Sequence, residues 1–96
     1  MPGSATAAGG DFRYTYRDRD GTEGTVTLHD PESGKCLTLP EAAVEYTQPP
    51  AHSPRNRTDA TAAVFTHADC SGEVFRLRPH TGGGSARMKL RSVIFS

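Results

Sequence analysis

The apolar residues of this chain recur at every second position in short runs, and nowhere do they hold helical spacing over three turns. That pattern confines the fold to strands. The clearest run lies in residues 11–17, with Phe12, Tyr14 and Tyr16 on one side and Arg13, Thr15 and Arg17 on the other. Asp20-Gly21 and Gly24 supply the turn that follows. Further strands are expected over residues 25–29, 35–39, 61–66, 74–78 and 90–95. Pro31 and Gly34 mark residues 30–34 as a connection. Residues 41–46 suit either a helical turn or a short strand. Residues 47–59, with Pro49, Pro50 and Pro54, are expected to be largely loop. Gly82, Gly83 and Gly84 read as a flexible link.

A chain of 96 residues supports one core. Leu, Ile, Val and Phe number only 15, yet the net charge is zero, so the composition is that of a folded, core-poor domain rather than a disordered one. Residues 1–10 are small and Gly-rich and read as a disordered tail, leaving residues 11–96 as a single domain. There is no apolar run of membrane-spanning length and no secretory signal, so no membrane partner is expected. The chain is expected in the cytoplasm if Met1 is its native start and outside the cell if a signal has been removed. Charge is uneven along the chain: residues 1–48 carry four bases and eight acids, residues 49–96 seven bases and three acids. The overall balance argues against a dedicated nucleic-acid binder.

A self-similarity appears when Gly34 is laid on Gly72. Leu37 and Leu39 then match Phe75 and Leu77, four residues expected to face a shared core, and Ser53 and Ser92 follow the two glycines by 19 and 20 positions. Repeat one spans about residues 24–58 and repeat two about residues 61–96. Each runs strand, glycine turn, strand, long connection, strand, the order a Greek key requires.

These residues resemble the βγ-crystallin family, whose motif is an aromatic, six residues, a glycine and a later serine. Phe65, Gly72 and Ser92 carry it in the second copy; Gly34 and Ser53 carry it in the first, with Thr27 at the aromatic position, or Leu28 if the turn is one residue shorter. The resemblance implies an all-β sandwich of two Greek-key motifs, with residues 12–17 as an extra N-terminal strand whose free edge permits a monomer or a homodimer. It also implies that the aromatic packs over the glycine turn and that the serine hydroxyl bonds backbone groups of the folded-over hairpin. Many microbial members bind calcium through acidic or amide residues just before each serine. Here those positions hold Gln48, two prolines and His52 in one copy and Arg87, Lys89 and Arg91 in the other, so no calcium is expected. Asp30 and Asp69 read as turn residues bonding their own backbone.

Other chemistry is sparse. His29 with Cys36 and His67 with Cys70 do not make paired metal-ligand spacings, and no metal or cofactor is expected. Cys70 beside His67 is the single nucleophile-and-base pair, and it lies in a strand connection, so no enzyme is expected. Cys36 and Cys70 suit either one disulfide or two thiols. Asn56-Arg57-Thr58 matches a glycosylation triplet. Arg76 and Arg78 alternate with Phe75 and Leu77, and Arg87, Lys89 and Arg91 alternate before Ser92. Neighbouring strands there would put five cations on one face, suited to an acidic partner or phosphate; without interleaved aromatics, nucleic acid is disfavoured. The sequence therefore points to a non-enzymatic binding or structural module meeting an unknown protein or anionic partner. The alternatives are a secreted crystallin-fold metalloproteinase inhibitor and an antimicrobial or toxin-like protein, both needing export and the first a disulfide.

Overall fold

The computed structural model describes residues 7–96. Eight strands follow in order: β1 (Gly10–Arg17), β2 (Glu23–His29), β3 (Leu37–Thr38), β4 (Ala51–Thr58), β5 (Ala62–His67), β6 (Ser71–Leu77), β7 (Lys89–Leu90) and β8 (Ser92–Phe95). They form two antiparallel four-stranded sheets, β2-β1-β4-β7 and β3-β8-β5-β6. The fold is an all-β sandwich. Each half of the chain takes the same course: two strands form a hairpin, the fourth returns beside the first, and the third crosses to the other sheet. The two halves thus hold each other by exchanged strands.

The period-2 alternation of β1 sends Phe12 and Tyr14 inward, both fully buried. Phe12 meets Phe95 of the opposite sheet edge-on, centroids 5.3 Å apart, which bridges the layers. Leu39, Val64, Leu90 and Val93 complete the buried centre. The inner face of β4 is polar instead: Asn56 and Thr58 are fully buried there. Asn56 Nδ2 donates to the carbonyls of Ala60, Leu77 and Arg78, and its Oδ1 accepts from the N–H and hydroxyl of Thr58. A saturated polar hub stands where the chain lacks apolar volume.

Several expectations are corrected. Residues 12–17 are no extra strand: β1 lies between β2 and β4, opens the first half, and offers no free edge. Consequently the halves are residues 10–58 and 62–95, the counterpart of the β5–β6 hairpin is β1–β2, and Gly34 does not correspond to Gly72. Residues 47–59 are not mainly loop, because residues 51–58 are the central strand β4. Pro54 is accommodated at a bulge, where the register slips between Arg13 and Thr15 and Ser53 takes φ 54°. The expected strand over residues 90–95 breaks at Arg91 into β7 and β8, in different sheets.

Phe75 is 38% exposed rather than in the core, since β6 is a sheet edge. Of the two alternatives for residues 41–46 there is no strand; a 3₁₀ turn, Pro40–Ala42, takes in their first two residues. The glycines at 82–84 are not a loose link: Gly82 O accepts from Asn56 N–H, Gly84 N–H donates to Pro54 O, and a Cβ on Gly82 would come within 2.5 Å of the Arg78 backbone. Of the expected tail, residues 1–6 lie outside the described residues. Ala8 is buried and donates to Pro31 O, and Gly10 begins β1. Asp30 accepts from Gly10 N–H, and Asp69 exchanges bonds with Thr38, so both tie distant segments rather than their own turns. Among the described residues no helix is long and apolar enough to cross a membrane.

Candidate functional site

The five cations expected to share a face do not. Arg76 belongs to the β6 edge of one sheet, with Arg78 just past its end, and Lys89 to β7 of the other, with Arg87 in the loop before it. Arg91 is only 8% exposed, and its guanidinium donates to the carbonyls of Ala42 and Gln48. It is a structural strut.

A different basic face is built by pairing β1 with β4, segments some forty residues apart in sequence. The outward residues of β1 are Asp11, Arg13, Thr15 and Arg17, and those of β4 include His52, Arg55 and Arg57. Arg13 lies directly opposite Arg55, and Arg57 is opposite Asp11. On the far side of β1, Arg13 faces Thr27. Lys89 joins from β7, opposite His52. Five cations, Arg13, Arg17, Arg55, Arg57 and Lys89, therefore share this face with two carboxylates, Asp11 and Glu23. Asp11 contacts His29 at 2.8 Å, and Glu23 takes Arg17 at 3.0 Å. Arg13, Arg55 and Arg57 have no ion-pair partner among the described residues. Like charges directly opposite on neighbouring strands repel, so the sheet carries this pair at some cost. The signal was present in the sequence as two period-2 arginine patterns, at 13 and 17 and at 55 and 57, but β4 was hidden by its proline.

The lower end of the face holds a relay. His52, nearly buried, has Nδ1 2.8 Å from Ser53 Oγ and Nε2 2.9 Å from Glu23 Oε2. Hydrogen bonds from Arg17 and then His52 hold the Glu23 carboxyl below its ordinary range. A serine, an imidazole and a carboxylate in a row suggest a nucleophile, but the Ser53 N–H is committed to Ser85 O and cannot serve an oxyanion. The arrangement ties β2 to β4 across β1.

The second half has its own tie. Ser92 Oγ accepts from Cys70 N–H at 2.8 Å and donates to His67 O at 2.6 Å, pinning the β5–β6 hairpin. Gly72 has φ 86°, and a Cβ there would lie 2.3 Å from the His67 ring. Ser53 is not the counterpart of Ser92, since His52 has the matching register. Cys36 and Cys70 are joined by a disulfide that fastens the approach to β3 onto the same hairpin. Both sulfurs are thereby spent, and no group of three or more His, Cys, Asp or Glu side chains among the described residues is arranged to hold a metal. Asn56 of the glycosylation triplet is fully buried and bonded through both side-chain ends, closed to a glycan in the folded chain.

No protein-family model matches the chain, and no curated protein or solved structure matches it either.

Proposed function

We propose that this protein is a non-enzymatic binding module that takes an anionic protein partner on the arginine face of its first sheet. The observation that carries the reading is the Arg13–Arg55 pair, set directly opposite each other with no intervening carboxylate. A guanidinium fork recognises carboxylates by paired hydrogen bonds, and two forks side by side gain most when an acidic chain lies across both. Thr15, Thr25 and Thr27 add hydroxyls to the same flat surface. No aromatic side chain stands among these arginines on the outer face, which favours an acidic protein surface over nucleic acid.

The two repeated halves, the Gly72 turn and the Ser92 tie support a crystallin-like double Greek key that has lost calcium ligands. The disulfide favours an oxidising compartment, hence export, and with it the second reading of a secreted crystallin-fold inhibitor or toxin-like protein. The deciding experiment is fluorescence anisotropy with a labelled polyglutamate peptide at two salt concentrations. Binding that weakens with salt and is lost in Arg13→Glu and Arg57→Glu, but kept in Arg76→Glu on the other sheet, is the expected result. Equal binding by all three variants overturns the proposal.

A further inference from the structure

At the end of the sandwich remote from Arg57, residues 43–50 form a loop that is exposed yet firmly held. Thr47 N–H and Gln48 N–H both donate to Val44 O, and the Gln48 side chain accepts from Val44 N–H and donates to Pro40 O. Arg91 supports it from beneath through Gln48 O. Glu45 is fastened to His67 at 2.8 Å, and hydrogen bonding to His67 holds its carboxyl below the ordinary range. On this braced frame Tyr46 is 100% exposed, with Val44 beside it 52% exposed. The loop backbone is ordered before any partner arrives, which leaves only the Tyr46 side chain to be ordered on binding.

Beside Tyr46 lies an open cleft of about 600 Å³, lined by Tyr16, Pro40, Glu41 and Pro49 with the exposed run Asp18-Arg19-Asp20 at its mouth. Arg19, Gln48 and Pro49 line both this cleft and the shallow hollow that Tyr46 flanks, so they form the ridge between the two. A protrusion and a recess side by side across a ridge are self-complementary: a two-fold axis through the ridge carries each Tyr46 to the other molecule's cleft. The charges agree. Asp18 and Arg19 have no ion-pair partner among the described residues, so each is available to pair with its opposite on a second copy brought up to the ridge.

We propose that this surface is a reciprocal homodimer contact, with Tyr46 of each copy seated in the Tyr16–Pro49 cleft of the other. It meets the arginine face at Arg17, which also lines the cleft, and leaves Arg13, Arg55 and Arg57 outside the contact. Two tyrosines bury about 300–500 Å² between them, and with their ridge the contact stays under about 1,200 Å², so the dimer is weak and reversible. Sedimentation velocity at loadings from about 10 to 500 µM, the range in which such small interfaces fill, is the test. The wild type is expected to shift from monomer toward dimer, and Tyr46→Ala to remain monomeric at unchanged melting temperature. Arg19→Glu alone and Asp18→Arg/Asp20→Arg alone are expected to stay monomeric through like-charge repulsion, whereas their equimolar mixture associates. A wild type that is monomeric throughout, a Tyr46→Ala that dimerises as well as wild type, or a mixture no better than its components overturns the proposal.

Discussion

His52 occupies in the first half the place that Ser92 occupies in the second. Each stands on the fourth strand of its half, paired on one side with the first strand, at Thr15 or Phe65, and on the other with the third strand of the opposite half, at Lys89 or Thr38. Both use that position to fasten a hairpin, Ser92 by backbone bonds and His52 through the Glu23 carboxylate. Ser92→Ala leaves the Cys70 amide and the His67 carbonyl without partners, and is expected to cost about 1–3 kcal/mol in chemical denaturation. His52→Ala is expected to cost a similar amount and to leave the β5–β6 hairpin protected in hydrogen exchange.

The His52 tie also sets a pH dependence. The Glu23 carboxyl titrates below its ordinary 4.5 in the folded chain, because Arg17 and His52 bond its charged form. Its stabilising contribution is therefore complete above that ordinary value and is lost as pH falls through the lower, folded one. Glu23→Gln is expected to lower stability at neutral pH and to flatten the fall on the acid side. Parallel acid limbs for wild type and Glu23→Gln in denaturant titrations count against the tie.

The disulfide closes a loop of 34 residues' separation and joins the approach to the first half's third strand to the second half's hairpin. Loop-closure entropy assigns it roughly 4 kcal/mol. In a domain of this size, reduction or a Cys36→Ser/Cys70→Ser double change is expected to lower the melting temperature by more than about 10 °C. A smaller shift means the exchanged strands already hold the halves together without it.

Gly72 and Gly34 make a controlled pair. Both have positive φ, 86° and 73°, but a Cβ at Gly72 strikes the His67 ring and Thr66 Oγ1, whereas one at Gly34 meets nothing within 4 Å. Gly34→Ala is expected to cost about 1 kcal/mol, the backbone term alone. Gly72→Val is expected to cost more than about 3 kcal/mol, with partial relief from His67→Ala in the same chain.

The alternation of Phe12, Tyr14 and Tyr16 made the strand class and β1 legible, because a half-buried strand imprints its period on the chain. What the sequence hid was every feature set by pairing between distant segments. Pro54 argued against a strand, and only the bulge at Ser53, formed against Tyr14 of β1, makes room for it. Arg91 continued an alternation on paper but turns inward where the chain passes from one sheet to the other. Laying Gly34 on Gly72 matched two residues of the same backbone conformation that do different work. The Arg13–Arg55 pair could not be read at all without knowing that β1 and β4 are neighbours.

That pair sets stability against binding. The Arg13 side chain makes no hydrogen bond or ion pair among the described residues, and Arg13 faces Arg55 on one side and Thr27 on the other. Arg13→Glu turns a repelling cross-strand pair into an attracting one, which is expected to raise stability by roughly 0.5–1 kcal/mol. The same change places a carboxylate in the middle of the proposed anion face and is expected to abolish retention of an acidic partner. Arg55→Glu is a poorer probe, since the Arg55 guanidinium also donates to Gly84 O and its loss loosens the 82–84 segment. A rise in melting temperature accompanied by loss of polyglutamate binding is the signature of residues kept for function at the expense of the fold. If Arg13→Glu instead lowers stability, the arginines are held apart by more than the register implies, and the face carries no stored repulsion for a partner to relieve.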